Sequence, residues 1–309
     1  MPADVVSAYV GDLVTVIGTR SFINQNALSS IAIPDSTTSI GAWAFYSCSD
    51  LTSVTIPDSV TSIEWNAFEN CSSLTNVTIP GSVRSIGSVA FGGCSRLTSV
   101  TISNGVMEIG NWAFVNCSRL TSVIIPDSVT SIGRNAFECC SGLSSVTIGT
   151  GVTSIGEYAF YKCSGLTSVT IPNSVTNIEE GAFSGCTSLL SVSLPDALQV
   201  INNNAFSTCT SCAVYDFGNT RQTIPQLGNP AAFELCDPNM LILVPDALYD
   251  TWIGETNWSD DSVRPHIVKW SDVTRTIYDD GLTSQVYVNG TLFSNSIPNS
   301  IHATDIRIG

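Results

Sequence analysis

The sequence predicts a repeat solenoid, and three observations carry that reading. First, Ala-Phe recurs at Ala44/Phe45, Ala67/Phe68, Ala90/Phe91, Ala113/Phe114, Ala136/Phe137, Ala159/Phe160, Ala182/Phe183 and Ala205/Phe206, at a constant step of 23 residues. Second, a cysteine keeps the same step from Cys48 through Cys71, Cys94, Cys117, Cys140, Cys163 and Cys186 to Cys209. Third, the stretch between them alternates apolar and hydroxyl residues, as in LTSVTIP from Leu51 to Pro57. A fixed period in this range marks a chain of stacked supersecondary units, each unable to bury its apolar face alone.

Taken in order, residues 1–16 (MPADVVSAYVGDLVTV) are apolar and β-prone and do not match the repeat by eye. They are expected to form an N-terminal cap, since the first coil of a solenoid leaves one core face open. Residues 17–217 form the array. Its first coil is degenerate, with Gln25 where the other units carry Cys. In each later unit the alternation of Val54 and Ile56 with Ser53 and Thr55 is a strand signal, ended by Pro57, which cannot donate to a ladder. Val60 and Ile63 bracket a second short extended segment. Ala44, Phe45 and Cys48, at i, i+1 and i+4, are expected on one face of a short helical turn. One coil thus gives a strand, a second extended edge and a turn, with columns of Phe, Cys, Leu, Val, Ile, Val and Ile inside. At about 4.8 Å per coil the array makes a rod or arc on the order of 50 Å long.

Residues 218–270 read as a degenerate last repeat and a C-terminal cap. RQTIPQLGNPAAFELC, Arg221 to Cys236, carries a four-residue insertion relative to the period, and Trp252, Trp258 and Trp270 are expected to cover the last coil. Residues 271–309 are a β-hairpin-like segment around Asp280-Gly281 and Asn289-Gly290, dipeptides that favour hairpin turns. Its final ATDIRIG resembles a repeat strand and suggests that another array follows.

Composition sets limits on function. Only 12% of the 309 residues are charged while 43% are hydrophobic, which excludes disorder. The formal charge of −15 argues against nucleic acid and anionic membrane surfaces. No apolar run is long enough to cross a membrane, and no signal peptide is visible in this chain. The eight periodic cysteines among eleven read as a column of buried thiols, with disulfides between coils the less economical alternative. His266 and His302 lie far apart, and the C-T-S-C at Cys209 and Cys212 falls on core positions, so neither a metal nor a cofactor is implied. No nucleophile, phosphate-loop or dinucleotide motif is present, and the chain does not read as an enzyme.

Units such as IGEYAFYKCSGLTSVTIPNSVTN, Ile155 to Asn177, resemble the BspA-type leucine-rich repeats of bacterial and protozoan surface proteins. The likeness runs unit by unit over about residues 17–210, with Ser103 and Gly149 replacing the usual Pro and Thr37 a core Val. It implies a right-handed leucine-rich-repeat-like coil with a parallel β-sheet on one side and short helical turns on the other, capped at its ends. It also implies an extracellular or cell-surface location and a role in adhesion or recognition.

Two sets of residues are the candidate ligand contacts. The outward strand positions Ser53/Thr55, Asn76/Thr78, Ser99/Thr101, Ser145/Thr147 and Ser168/Thr170 make a flat, uncharged hydroxyl face, although Ser and Thr are also β-compatible, solubilising fillers. The aromatics flanking Ala-Phe (Trp43, Trp112, Tyr158 and Tyr161) are the second set, since exposed aromatics mark contacts as well as local packing. The function implied is non-catalytic binding of a protein or glycan surface through the solenoid faces. The alternative is a structural protein that self-associates end to end into fibres through its terminal strands.

Overall fold

The coils up to Leu227 each place one short strand in each of two parallel sheets. The computed structural model describes residues 6–277, 283–288 and 291–298. Among these, a twelve-stranded sheet runs from Ser7–Tyr9 to Ile267–Lys269, and a ten-stranded sheet runs from Val16–Ile17 to Gln226–Leu227. Neighbours in each sheet are successive coils, paired in parallel and in register: Asn76 faces Ser99, and Val77 faces Val100. Register is fixed because Val and Ile at alternate strand positions point into the core while Ser and Thr between them stay outside.

The third side of each coil is where sequence and structure differ. Ala44 to Cys48 do not form a helical turn; they form a run of tight turns. Trp43 and Ser47 have φ of 51° and 56°, and this left-handed pair recurs coil after coil, as in Asn66/Asn70, Trp112/Asn116 and Tyr158/Lys162. A left-handed residue every fourth position ends any α-helix before it can propagate. It also turns alternate amides toward the next coil: Phe45 N–H donates to Ala67 O at 2.7 Å, and Ser47 N–H to Glu69 O at 2.8 Å. The turn edge is therefore a third hydrogen-bonded ladder, which helical spacing alone does not reveal.

Inside, the columns are continuous. Ten phenylalanine rings from Phe22 to Phe233 stack with centroids 4.9–5.9 Å apart and planes within 9° of parallel. Beside them stand the thiols. All eight periodic cysteines are free and fully buried. Each Sγ–H points at the carbonyl of the phenylalanine one coil earlier, from Cys48 to Phe22 through to Cys209 to Phe183, at 3.0–3.3 Å. A small apolar side chain with a weak donor suits this place, because the carbonyl it meets is buried. Burial pushes seven of them up, Cys48 to about 11 and Cys94 to about 12, with Cys71, Cys117, Cys163, Cys186 and Cys209 raised as well, which keeps those seven protonated and unreactive at neutral pH.

The departures from the repeat are accommodated locally. Thr37 is fully buried and donates its hydroxyl to Val14 O at 3.0 Å. Ser103, in the proline column, uses the N–H that proline lacks to reach Ile79 O at 3.0 Å. The N-terminal segment differs from expectation. Ser7, Ala8 and Tyr9 pair with Ser30, Ile31 and Ala32, and Ile17 with Ile40, so residues 7–17 already keep the 23-residue step. Ala8 and Gly11 stand where Val and Pro stand later, which hides the match in the sequence.

After Cys209 the chain departs from the period. The pairing of Val214 with Leu241 spans 27 residues, and the surplus forms a loop around Arg221. Arg221 is buried, and its guanidinium donates to the carbonyls of Thr223, Pro195 and Leu198. Beyond it, Trp252 and Trp258 are buried and pack edge-on against Phe217. Side-chain donors meet carbonyls that no further coil takes up: Asn257 Nδ2 reaches Leu227 O and Gly228 O, and Trp258 Nε1 reaches Pro225 O at 2.8 Å. The short helix Tyr249–Trp252 lies in this region.

Trp270 does not join Trp252 and Trp258 over the core. It lies on the outer face of the large sheet, against Val214, Leu241 and Leu243, and its Nε1 donates to Asp216 at 2.9 Å. Burial raises the Asp216 carboxyl above the ordinary carboxylate range, opposed by that bond and the Gly218 amide. Strands Val273–Ile277, Thr283–Val288 and Thr291–Pro298 form a separate antiparallel sheet. The hairpin dipeptides Asp280-Gly281 and Asn289-Gly290, His302 and the final ATDIRIG lie outside the described residues, as do residues 1–5.

Candidate functional site

Two outer surfaces present the side chains singled out in the sequence, and they differ in kind. On the large sheet, Ser53, Thr55, Asn76, Thr78, Ser99, Thr101, Ser145, Thr147, Ser168 and Thr170 are all exposed. The register sets them in rows, with Thr78 facing Thr101 and Ser145 facing Ser168. A neighbouring hydroxyl column is occupied internally: Thr75 Oγ1 donates to Thr52 O, Thr98 to Thr75 and Thr121 to Thr98. The exposed Ser and Thr hydroxyls of the rows make no such bond among the described residues. One break in the pattern is Ile124, 69% exposed amid hydroxyls. A second is the C-terminal end, where the outward positions Val214, Leu241 and Leu243 become apolar and are covered.

The turn edge carries the aromatics. Trp43, Trp112 and Tyr158 all stand in the first left-handed column, with φ of 51–54°. Asn66, Asn135, Asn204 and Gly181 hold the same place in other coils. Asn and Gly are the residues that adopt this conformation with least strain, whereas a bulky side chain there is an outlier. Trp43 touches Trp65 in an edge arrangement, and the Arg20 guanidinium sits 4.7 Å from the Trp43 ring. Tyr158 meets Tyr161 edge-on at 5.6 Å, lies under Arg134 and donates its hydroxyl to Glu180 at 2.6 Å, which raises the phenol's pKa. Gly181 gives the Tyr158 ring room, since a Cβ there would come within 2.3 Å of it. Lys162 lies over Tyr161.

Trp65 was not evident from the sequence, although it is 45% exposed and Trp112 is 37% exposed. It stands one place before the left-handed column, so the periodic reading passes over it; its 22-residue offset from Trp43 is the signal. Trp43, Tyr158 and Tyr161 are half-buried and thus serve packing as well as surface. Neither Cys209 nor Cys212 faces the other as a redox pair: their Sγ atoms point to Phe183 O and Val214 O, and both are free. Among the described residues no three His, Cys, Asp or Glu side chains come together as a metal group.

The repeat architecture and the sequence agree on kinship. The profile of the BspA type leucine-rich repeat region matches residues 15–144 and 130–239, well over half the chain. The chain belongs to the BspA-type leucine-rich repeat family. A leucine-rich repeat protein from Eubacterium ventriosum is 23% identical, with 75% of this chain and 76% of that chain covered and a TM-score of 0.52, and shows the same fold. A Treponema (T. pallidum) leucine-rich repeat protein is 29% identical over 52% of this chain and 78% of its own, with a TM-score of 0.49. A leucine rich cell surface protein from Faecalibacterium prausnitzii is 26% identical over 80% of each chain, with a TM-score of 0.40. No curated protein sequence matches. Among the described residues no helix of this BspA-type chain is long and apolar enough to cross a membrane.

Proposed function

We propose that this BspA-type chain is a non-catalytic binding or adhesion module at the cell surface or outside it, recognising a protein or glycan through the outer faces of its solenoid. The observation that carries the reading is the extent of exposed, unengaged hydroxyls: rows such as Ser145/Ser168 and Thr78/Thr101 run from coil to coil on a frame held by three ladders. Rigid repetition gives such a surface length without ordering a loop on binding, which lowers the entropy lost on association. Immobilised full-length chain, probed against glycan and extracellular-protein arrays, is expected to return a saturable ligand whose affinity falls at least tenfold with T101K. A Thr101→Lys variant that binds every hit unchanged, or arrays without a hit, would count against it.

A second reading, end-to-end self-association, draws on Ser7–Tyr9 and Val16–Ile17 as edge strands with Tyr9 and Leu13 exposed beside them, 70% and 94%. Asn257 occupying the Leu227 and Gly228 carbonyls at the far edge of the ten-stranded sheet weighs against it. Monomers alone in light scattering at high concentration would dismiss it.

A further inference from the structure

We propose that the turn edge is a track for an extended, uncharged β-1,4-linked polysaccharide, with Trp65, Trp112 and Tyr158 as its stacking platforms. This rests on the reading of the chain as a binding module and names its ligand class and site.

The choice of residues is the first argument. The left-handed column holds Asn or Gly at Asn66, Asn135, Gly181 and Asn204 and Val at Val89, whereas Trp43, Trp112 and Tyr158 set large rings there at positive φ; Trp65 stands one place before it. A large ring in that conformation is strained, and Trp112 still keeps 37% of its surface exposed. Strain kept at an exposed position points to use.

Spacing is the second. Trp65, Trp112 and Tyr158 lie two coils apart along the edge, and two coils rise about 10 Å. A β-1,4-linked chain of equatorial pyranoses is extended and nearly two-fold, so every second sugar turns the same face to one side, and its two-sugar repeat is close to that rise. One ring per two coils therefore meets one sugar face per disaccharide. A coiled α-1,4-linked chain does not keep this register.

The polar surroundings are the third. Planar groups flank the rings on the same edge: Asn66 Nδ2 donates to Glu69, Asn135 Nδ2 to Glu138 at 2.7 Å, and Arg134 pairs with Glu157 at 2.9 Å. Amides, carboxylates and a guanidinium suit sugar hydroxyls, which donate and accept at once. Glutamates outnumber the basic residues along this edge, and the chain carries −15 overall, so a polyanionic glycan is repelled.

The test uses the full chain and isothermal titration with cellohexaose, mannohexaose and xylohexaose, with maltohexaose and an oligo-alginate as controls. At least one β-1,4 hexasaccharide is expected to bind, more tightly than its trisaccharide, with quenching of tryptophan fluorescence and no binding by the controls. W112N and Y158N are expected to lose affinity at least tenfold while melting no lower than the parent, because asparagine is the repeat's own residue there. Absence of binding by all three β-linked hexasaccharides, equal binding by maltohexaose, or unchanged affinity in W112N would overturn the track. Should these fail while T101K still abolishes binding of an array ligand, the binding-module reading stands and the turn-edge glycan alone falls.

Discussion

The array between Ser30 and Cys209 and the stretch from Cys212 to Trp270 close the same core by opposite means. In the array the buried columns find their partners one coil away, and the same pair is made again at the next step: Cys Sγ to Phe carbonyl, ring on ring, strand on strand. After Cys209 the repeated pairs take one more step, Phe233 on Phe206 and Cys236 Sγ to Phe206 O, and beside them stand contacts that are not repeated. Arg221 takes three carbonyls, Trp258 fills one slot, and Asn257 ends one ladder. Repetition makes the array a cooperative whole in which damage spreads to neighbours, while the end is a set of unique fittings whose loss stays local.

The largest separation between the two regions is expected in alkali. In the array Cys48, Cys71, Cys94, Cys117, Cys163, Cys186 and Cys209 have pKa values raised by burial above the ordinary 9.0. A thiol whose folded pKa exceeds its unfolded one lends stability that is complete below the unfolded value and is lost as pH climbs through the folded value. Between the unfolded and folded values each such thiol removes about 1.4 kcal/mol per pH unit, so seven together reach on the order of 10 kcal/mol per unit there. Circular dichroism under reducing conditions should therefore show the array collapsing steeply between about pH 9 and 11. A gentle slope through that range would mean the thiols are not held protonated by the core.

Next in size, F114D is expected to remove more than about 5 kcal/mol, by placing a charge within the ring stack. Several adjacent coils should melt together in urea, and a barely moved transition would deny their coupling. R221M, by contrast, is expected to cost about 3 kcal/mol and to act at the end alone. Limited proteolysis should then cut between Gly218 and Trp270 while the array's midpoint holds. The smallest effect belongs to the turn edge: V89N replaces a β-branched residue at φ of 57° and should raise stability by about 1 kcal/mol, read as a shift of the thermal midpoint. A fall would show that Val89 gains more from packing than it loses in strain.

The division between what the sequence discloses and what it conceals follows the same line. Phe, Cys, Leu and the Val/Ile columns were legible because a period projects each residue onto a place, and the structure buries them all. The two sheets follow from alternation. The helical turn was misjudged since i, i+1, i+4 spacing says nothing of backbone handedness; Asn66, Asn70, Asn116, Asn135 and Asn204 carried that information as left-handed formers. Residues 7–17 were missed because Ala8 and Gly11 weaken the pattern while the backbone register persists. The outward rows on the large sheet lie where alternation places them. Trp65 and the partners Arg20 and Arg134 meet the aromatics across coils, and adjacency of that kind is set by the ladder offset of the turns.

All three ladders, the ring stack and the thiol column run along the solenoid axis, so a pull on the chain's ends loads them in series. Under tension coils should peel one at a time from an end, each releasing 23 residues, about 80 Å of contour. A module built this way lengthens by equal steps under shear and shortens again as each coil re-stacks on the one below.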